Sequence, residues 1–295
     1  MICLIVSDGY FPPERSLLRR VHAERAVGLL YGQRALLIGA AHALTYTGTE
    51  MSTQGAKTPF QRLTRTAKVF ETVFFGTRAE ADRALAAVHA LHERVRGTLP
   101  VAAGRWAAGT PYSAWDPDLM LWTLGCIADS GQAMYQTFVR KLSADEREAL
   151  WQDYLLFGEL FGLSRADAPP TYMDFRAYWA ERLASDDLAL TPTARVAGRQ
   201  SCFEIPLPRH LLAAREMANL LLLGTIPARV RELYGFSFTL AQQAAFQAAA
   251  ASLRRASRIT PDALRRGPNT ASFNLVARTE RDLQRRGKQR ATIFA

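Results

Sequence analysis

Signals that start a helix recur along this chain, and they constrain its fold more than any other feature. Thr77 has Glu80 three residues on, a capping box in which each side chain satisfies the other's backbone N–H. Asp116-Pro117 sets a capping carboxylate before a proline at the first helical position. Ser143-Ala-Asp-Glu146 is a second box, and Thr171 with Asp174, and Thr239, mark further starts. Leu63, Ala67, Val69, Phe70, Val73 and Phe74 give Phe60 to Phe75 one apolar side at helical spacing, and Gly76 ends that run. Arg15 to Ala41 reads as one long helix behind Pro12-Pro13. Gly48 to Pro59 reads as a loop, and the helix opened by Thr77 runs to about Arg96 with Gly97 as its cap. No alternating pattern of useful length marks a strand, and no segment repeats at a fixed period. The turns are short, without a long polar linker. The expected fold is therefore all-α: a single globular multi-helix domain over residues 1–295.

The apolar fraction, 48%, supplies a sizeable core. The two longest apolar stretches each carry a charge: Arg34, with His42, in Ala26 to Gly48, and Asp129 in Leu119 to Tyr135. A charge near the middle of a spanning helix is costly, so both read as buried helices and no transmembrane segment is expected. Met1 to Val6 is apolar but has no basic residues before it, and Asp8-Gly9 ends it too early for an export signal. Cys3, Cys126 and Cys202 are far apart and odd in number, which points to reduced thiols and a cytoplasmic protein.

The net charge of +10 is unevenly spread. Arg254 to Arg290 holds eleven Arg or Lys against Asp262, Glu280 and Asp282, so most of the excess belongs to the C-terminal end. From about residue 278 this basic tail is expected to be extended or loosely held. Such a tail suits phosphates, acidic lipids or an acidic partner. No zinc-finger spacing or aromatic RNA-binding pattern accompanies it, so no specific nucleic acid is expected.

Phosphate-binding loops, the dinucleotide fingerprint and the nucleophile elbow are all absent. His89 and His92, three apart, share a helical face, but neither HExxH nor a pair of ExxH motifs stands with them. A haem asks for less: one axial histidine, an apolar pocket and a few cations. Arg62, Arg65 and Thr66 fall on one side of their helix. They read either as a solvated basic face or as fixed cations and a hydroxyl aimed at a ligand's oxygens.

From Asp8 to about Arg285 the chain resembles the MpaB/rubber-oxygenase catalytic domain, a family that includes the latex-clearing proteins. The resemblance is carried by segments in order: Asp8-Gly9-Tyr10-Phe11, Val21-His22-Ala23-Glu24-Arg25 and Gly32-Gln33-Arg34. Arg62-Leu-Thr-Arg65-Thr66, His92-Glu-Arg-Val95-Arg-Gly97 and Tyr112-Ser-Ala-Trp-Asp116-Pro117 follow. Leu223-Gly224-Thr-Ile-Pro227, Arg231 and Tyr234-Gly235 close the pattern.

The resemblance implies a helical fold enclosing a haem b pocket, with His92 rather than His89 as the proximal iron ligand. It implies Arg62, Arg65 and Thr66 on the distal side. The activity implied is that of a haem-dependent oxygenase or related oxidoreductase acting on an apolar small molecule with dioxygen. The alternative is a non-catalytic helical haem- or ligand-binding protein. The chain departs from its relatives in places. Rubber oxygenases carry lysine where Arg65 stands, and a guanidinium has no lone pair to offer iron. His42-Ala43 replaces His-Pro, and Glu50-Met51-Ser52 replaces an acidic residue, His and Ser. These changes bear on polyisoprene cleavage more than on the fold.

Overall fold

Residues 8–51 and 59–287 are described by the computed structural model. They form fourteen α-helices, two short 3-10 turns and one small hairpin sheet. The chain is thus all-α. Its axis is α6 (Pro117–Phe138), capped by Asp116, whose side chain accepts from the N–H groups of Asp118 and Leu119. Nearly every residue of α6 from Leu119 to Tyr135 is buried. Along it lies α2 (Arg25–Gly39), and α7 (Ala144–Leu160) and α12 (Leu240–Ile259) pack on other sides. Trp122 stacks on Trp179 at 5.2 Å, and Trp151 on Phe175 at 4.1 Å, tying α8 (Tyr172–Ala184) to α6 and α7.

The two charges set in apolar stretches find each other. Arg34 and Asp129 pair at 2.7 Å in the core, and Arg34 also donates to the Ser130 hydroxyl (2.9 Å) and the Thr225 carbonyl (3.0 Å). Arg176 reaches the other oxygen of Asp129 at 2.7 Å. Full pairing is what makes buried charge tolerable. Among the described residues no single helix is long and apolar enough to cross a membrane.

The helix signals hold at Thr77, Asp116, Ser143, Thr171 and Thr239. Four expectations are corrected. The segment Arg15 to Ala41 is not one helix: it breaks at Glu24, which is extended, into α1 (Leu17–Ala23) and α2. The break turns the Glu24 carboxylate onto Arg266 (2.9 Å) and Arg265 (3.4 Å), contacts 241 and more residues away in sequence that no local pattern encodes. The loop expected from Gly48 begins later, because α3 (Ala43–Met51) continues through Gly48; residues 52–58 lie outside those described. The helix after Thr77, α5 (Arg78–His92), stops short of Arg96, which opens β1 (Arg96–Thr98). β1 pairs antiparallel with β2 (Pro111–Ser113), Gly97 opposite Tyr112.

The fourth correction concerns the C-terminal end. It is helical to Arg285 in α14 (Thr270–Arg285), which buries Ala277 and Glu280 and packs on α4 (Pro59–Phe75). The segment before it is sewn to the α1–α2 junction: Gly267 N–H donates to Ala23 (2.9 Å) and Arg25 to the Arg266 carbonyl (3.3 Å). Apolar contacts and hydrogen bonds thus outweigh the repulsion among its cations up to Arg285.

Candidate functional site

The site begins with a helical hairpin. α4 and α5 are joined only by Gly76 and Thr77 and pack together. One side of α4 carries Phe70 and Phe74, which meet the last turns of α7: Phe70 touches Phe157 (5.3 Å) and Phe161 (5.7 Å). Thr66 continues that stripe at i, i+4 spacing. Burial fades along it, from Phe74 in the core through half-buried Phe70 to exposed Thr66. Arg65 is exposed and has no ion-pair partner among the described residues. Arg62 lies one turn earlier on α4, and its side chain falls outside the described residues.

His92 ends α5, and its half-buried ring stands edge-on to Trp115 at 5.3 Å. Its Nδ1 is buried without a hydrogen-bond partner. Burial, reinforced by nearby His89, pushes its pKa down, so the ring stays neutral and keeps a lone pair. His89 differs in this respect. Its Nε2 meets the Leu160 carbonyl at 3.0 Å, and since a carbonyl only accepts, that nitrogen carries the proton.

Trp115 is gripped between both histidines and Gly162. Gly162 has a φ of +102°, and a Cβ there would stand 2.4 Å from the indole. The indole Nε1 is buried and also lacks a partner. So the end of α7 adjoins both halves of the site: Phe157 and Phe161 reach the α4 stripe, while Leu160 and Gly162 hold His89 and Trp115.

The turn after His92 is fixed by packing. Val95 is buried, and Gly97 lies under Tyr112, whose hydroxyl would be 2.9 Å from a Cβ there. That hydroxyl donates to the Met51 sulfur at 3.3 Å. Glu50 is half-buried, and burial raises its carboxyl pKa. In the sequence Trp115 and Tyr112 stand within a motif that assigns neither a role. Their signal was the motif itself; the Leu160 carbonyl had none.

His42 is fully buried elsewhere, between Trp106 (5.2 Å) and Trp122 (6.2 Å), with neither ring nitrogen partnered. His22 stacks on Phe74 at 4.4 Å and shares a hydrogen bond of 2.9 Å with the Tyr154 hydroxyl. Both serve the core. Cys126 and Cys202 are buried free thiols whose pKa burial raises. Among the described residues no group of three or more His, Cys, Asp or Glu could hold a metal ion by itself. A cavity of about 260 Å³ lined by Arg199, Phe203 and Phe236 shares no residue with the His92 site.

The fold and this site define a helical protein that sets a neutral imidazole, with a buried Nδ1 that nothing partners, at a helix end beside an aromatic wall. Residues 19–255 match the family described as ER-bound oxygenase mpaB/B'/rubber oxygenase, catalytic domain, and the chain belongs to that family. Membership implies oxygenase-type activity. Uncharacterized proteins from Mycobacterium bovis and Mycobacterium tuberculosis are each 28% identical over 208 residues, covering 70% of this chain and 77% of theirs. No solved structure gives a significant match.

Proposed function

We propose that the protein is a haem-dependent oxygenase that acts on an apolar small molecule with dioxygen, using a haem b whose proximal ligand is His92. The observation that carries this reading is the contrast between two neighbouring histidines. His89 has a nitrogen committed to the Leu160 carbonyl, whereas His92 is neutral and holds a buried Nδ1 that nothing partners. An axial ligand has to be a neutral imidazole with a free nitrogen. The unpartnered Trp115 N–H beside it supports a polar group that the polypeptide does not supply. The residues present therefore fit a haem.

His92 would hold the group, Trp115 would fix the plane of the imidazole, and Phe70, Phe157 and Phe161 would offer apolar wall. The family resemblance assigns Arg62, Arg65 and Thr66 to the distal side. There the two cations and the hydroxyl would orient anionic or partly charged oxygens. A guanidinium has N–H groups and no lone pair to offer, so Arg65 would act as a donor only. When bound, the haem supplies the iron chemistry that activates dioxygen. A cytoplasmic location belongs to the same reading, as do two buried thiols that stay reduced there.

The exposure of Arg65 and Thr66 favours a second reading, a non-catalytic haem- or ligand-binding protein. Oxygen uptake separates the two. Protein produced with ample haem should show a Soret band and consume dioxygen when given an apolar alkene. A Soret band without uptake over a panel of such alkenes would support the binding protein, and no haem at all would remove the oxygenase and leave only a binder of another ligand.

A further inference from the structure

One corner of the molecule has no part in the His92 site, and folding does not account for its surface. α12 ends at Ile259, and α13 (Asp262–Arg265) follows at once. Ile259 is 85% exposed and Leu264 70% exposed. Ala256, Pro261 and Ala263 between and beside them are exposed as well. One exposed aliphatic side chain is ordinary on a soluble surface, but a cluster of apolar residues around a protruding turn is not.

Cations surround this cluster. Arg255 and Arg258 are exposed on α12, and neither has an ion-pair partner among the described residues. The Ser257 hydroxyl donates to the Val139 carbonyl at 3.2 Å, which brings exposed Lys141 to the same corner. The acid nearby, Asp262, is taken up by Arg265 and Arg266, each at 2.7 Å.

We propose that this corner docks on the headgroup region of an anionic lipid bilayer. Ile259 and Leu264 insert beside the acyl chains, while Arg255, Arg258 and Lys141 lie on the lipid phosphates. Each chemistry does what the other cannot. Cations draw the protein to a negative surface over roughly 10 Å, the range that salt leaves to them, and aliphatic side chains hold it at contact. A nucleic acid presents phosphates but no apolar surface for an isoleucine. A second copy on a twofold axis would set these cations against their own images, which repels.

The test is flotation of the full chain with vesicles of phosphatidylcholine alone, and of phosphatidylcholine and phosphatidylglycerol in equal parts. Binding to the mixed vesicles should be about a hundredfold tighter, on the basis of roughly fivefold for each of the three cations. Arg255→Glu with Arg258→Glu should erase that preference. Ile259→Asp with Leu264→Asp should weaken binding to the mixed vesicles by about tenfold or more, because acyl contact is lost. The melting temperature should hold in both, since all four side chains are exposed. His92→Ala should bind vesicles as the native chain does, which keeps this proposal separate from the haem reading. No binding to mixed vesicles would overturn the proposal. Binding that ignores Ile259→Asp with Leu264→Asp would mark bare polyanion attraction and overturn it too. So would a dimer in sedimentation velocity that those two substitutions abolish.

Discussion

Arg34 and Asp129, 95 residues apart in sequence, meet in the core at 2.7 Å and tie α2 to α6. Each charge alone would be costly in that setting. Asp129→Ala leaves Arg34 buried with only neutral partners, the Ser130 hydroxyl and the Thr225 carbonyl. Loss of one member of a buried pair typically costs about 3–5 kcal/mol. Asp129→Ala should therefore lower stability by that order in urea unfolding. A change under about 1 kcal/mol would mean that the pair is not desolvated as described.

Gly162→Ala should disturb the wall beside His92. The new Cβ would collide with the Trp115 indole, and the backbone there has a φ of +102°. Strain and overpacking together predict a loss of about 1–3 kcal/mol. Trp115 fluorescence should shift in the same variant; an unchanged spectrum and melt would place Trp115 elsewhere.

Acid should unfold the protein through its buried histidines. Burial lowers the pKa of His22 to about 3 and that of His42 to about 4. In the unfolded chain both protonate near their ordinary value of about 6.5. Between that value and about 4 the unfolded chain binds protons that the folded chain refuses, so stability falls as pH drops through this window. The loss by pH 5 is on the order of 2 kcal/mol per histidine. His42→Phe removes one of the two groups and puts no polar atom in its place. Its stability should fall less than that of the native chain when urea unfolding at pH 7.5 is repeated at pH 5. An equal fall in both would clear His42 of this role.

The helix starts were legible because a cap is a local device: Thr77 needs only Glu80, and Asp116 only the next two N–H groups. So was the all-α class, and so was the family, which rests on ordered motifs. The break at Glu24 was not legible, because Leu, Ala and Arg all favour helix there and its cause is a contact with Arg265 and Arg266. The basic C-terminal end misled for a related reason. Composition counts its cations but not the contacts that the fold brings, such as Glu24 on Arg265 and Arg266 and the packing of α14 on α4. At the site, spacing put His89 and His92 on one face but could not rank them; the family motif favoured His92, and the Leu160 carbonyl that engages His89 lies on another helix, which no local pattern shows.

Removing the clasp should therefore matter. Glu24→Ala removes the buried carboxylate that Arg265 and Arg266 share at the α1–α2 junction and leaves them only the exposed one of Asp262. Both arginines keep some water, so the cost should be about 3 kcal/mol or less, below that of a fully buried pair. A chain ending at Val276 loses buried Ala277 and Glu280, and should melt at a lower temperature than the full chain. An unchanged melt in both would return the C-terminal end to the loosely held state that its composition suggests.

The measurement that bears most directly on the central claim is the visible spectrum of three proteins produced with ample haem: the native chain, His92→Ala and His89→Ala. A Soret band should appear in the native protein and in His89→Ala and be lost in His92→Ala, with all three showing the same far-ultraviolet circular dichroism. A Soret band that survives His92→Ala, or one that vanishes only in His89→Ala, would contradict the account.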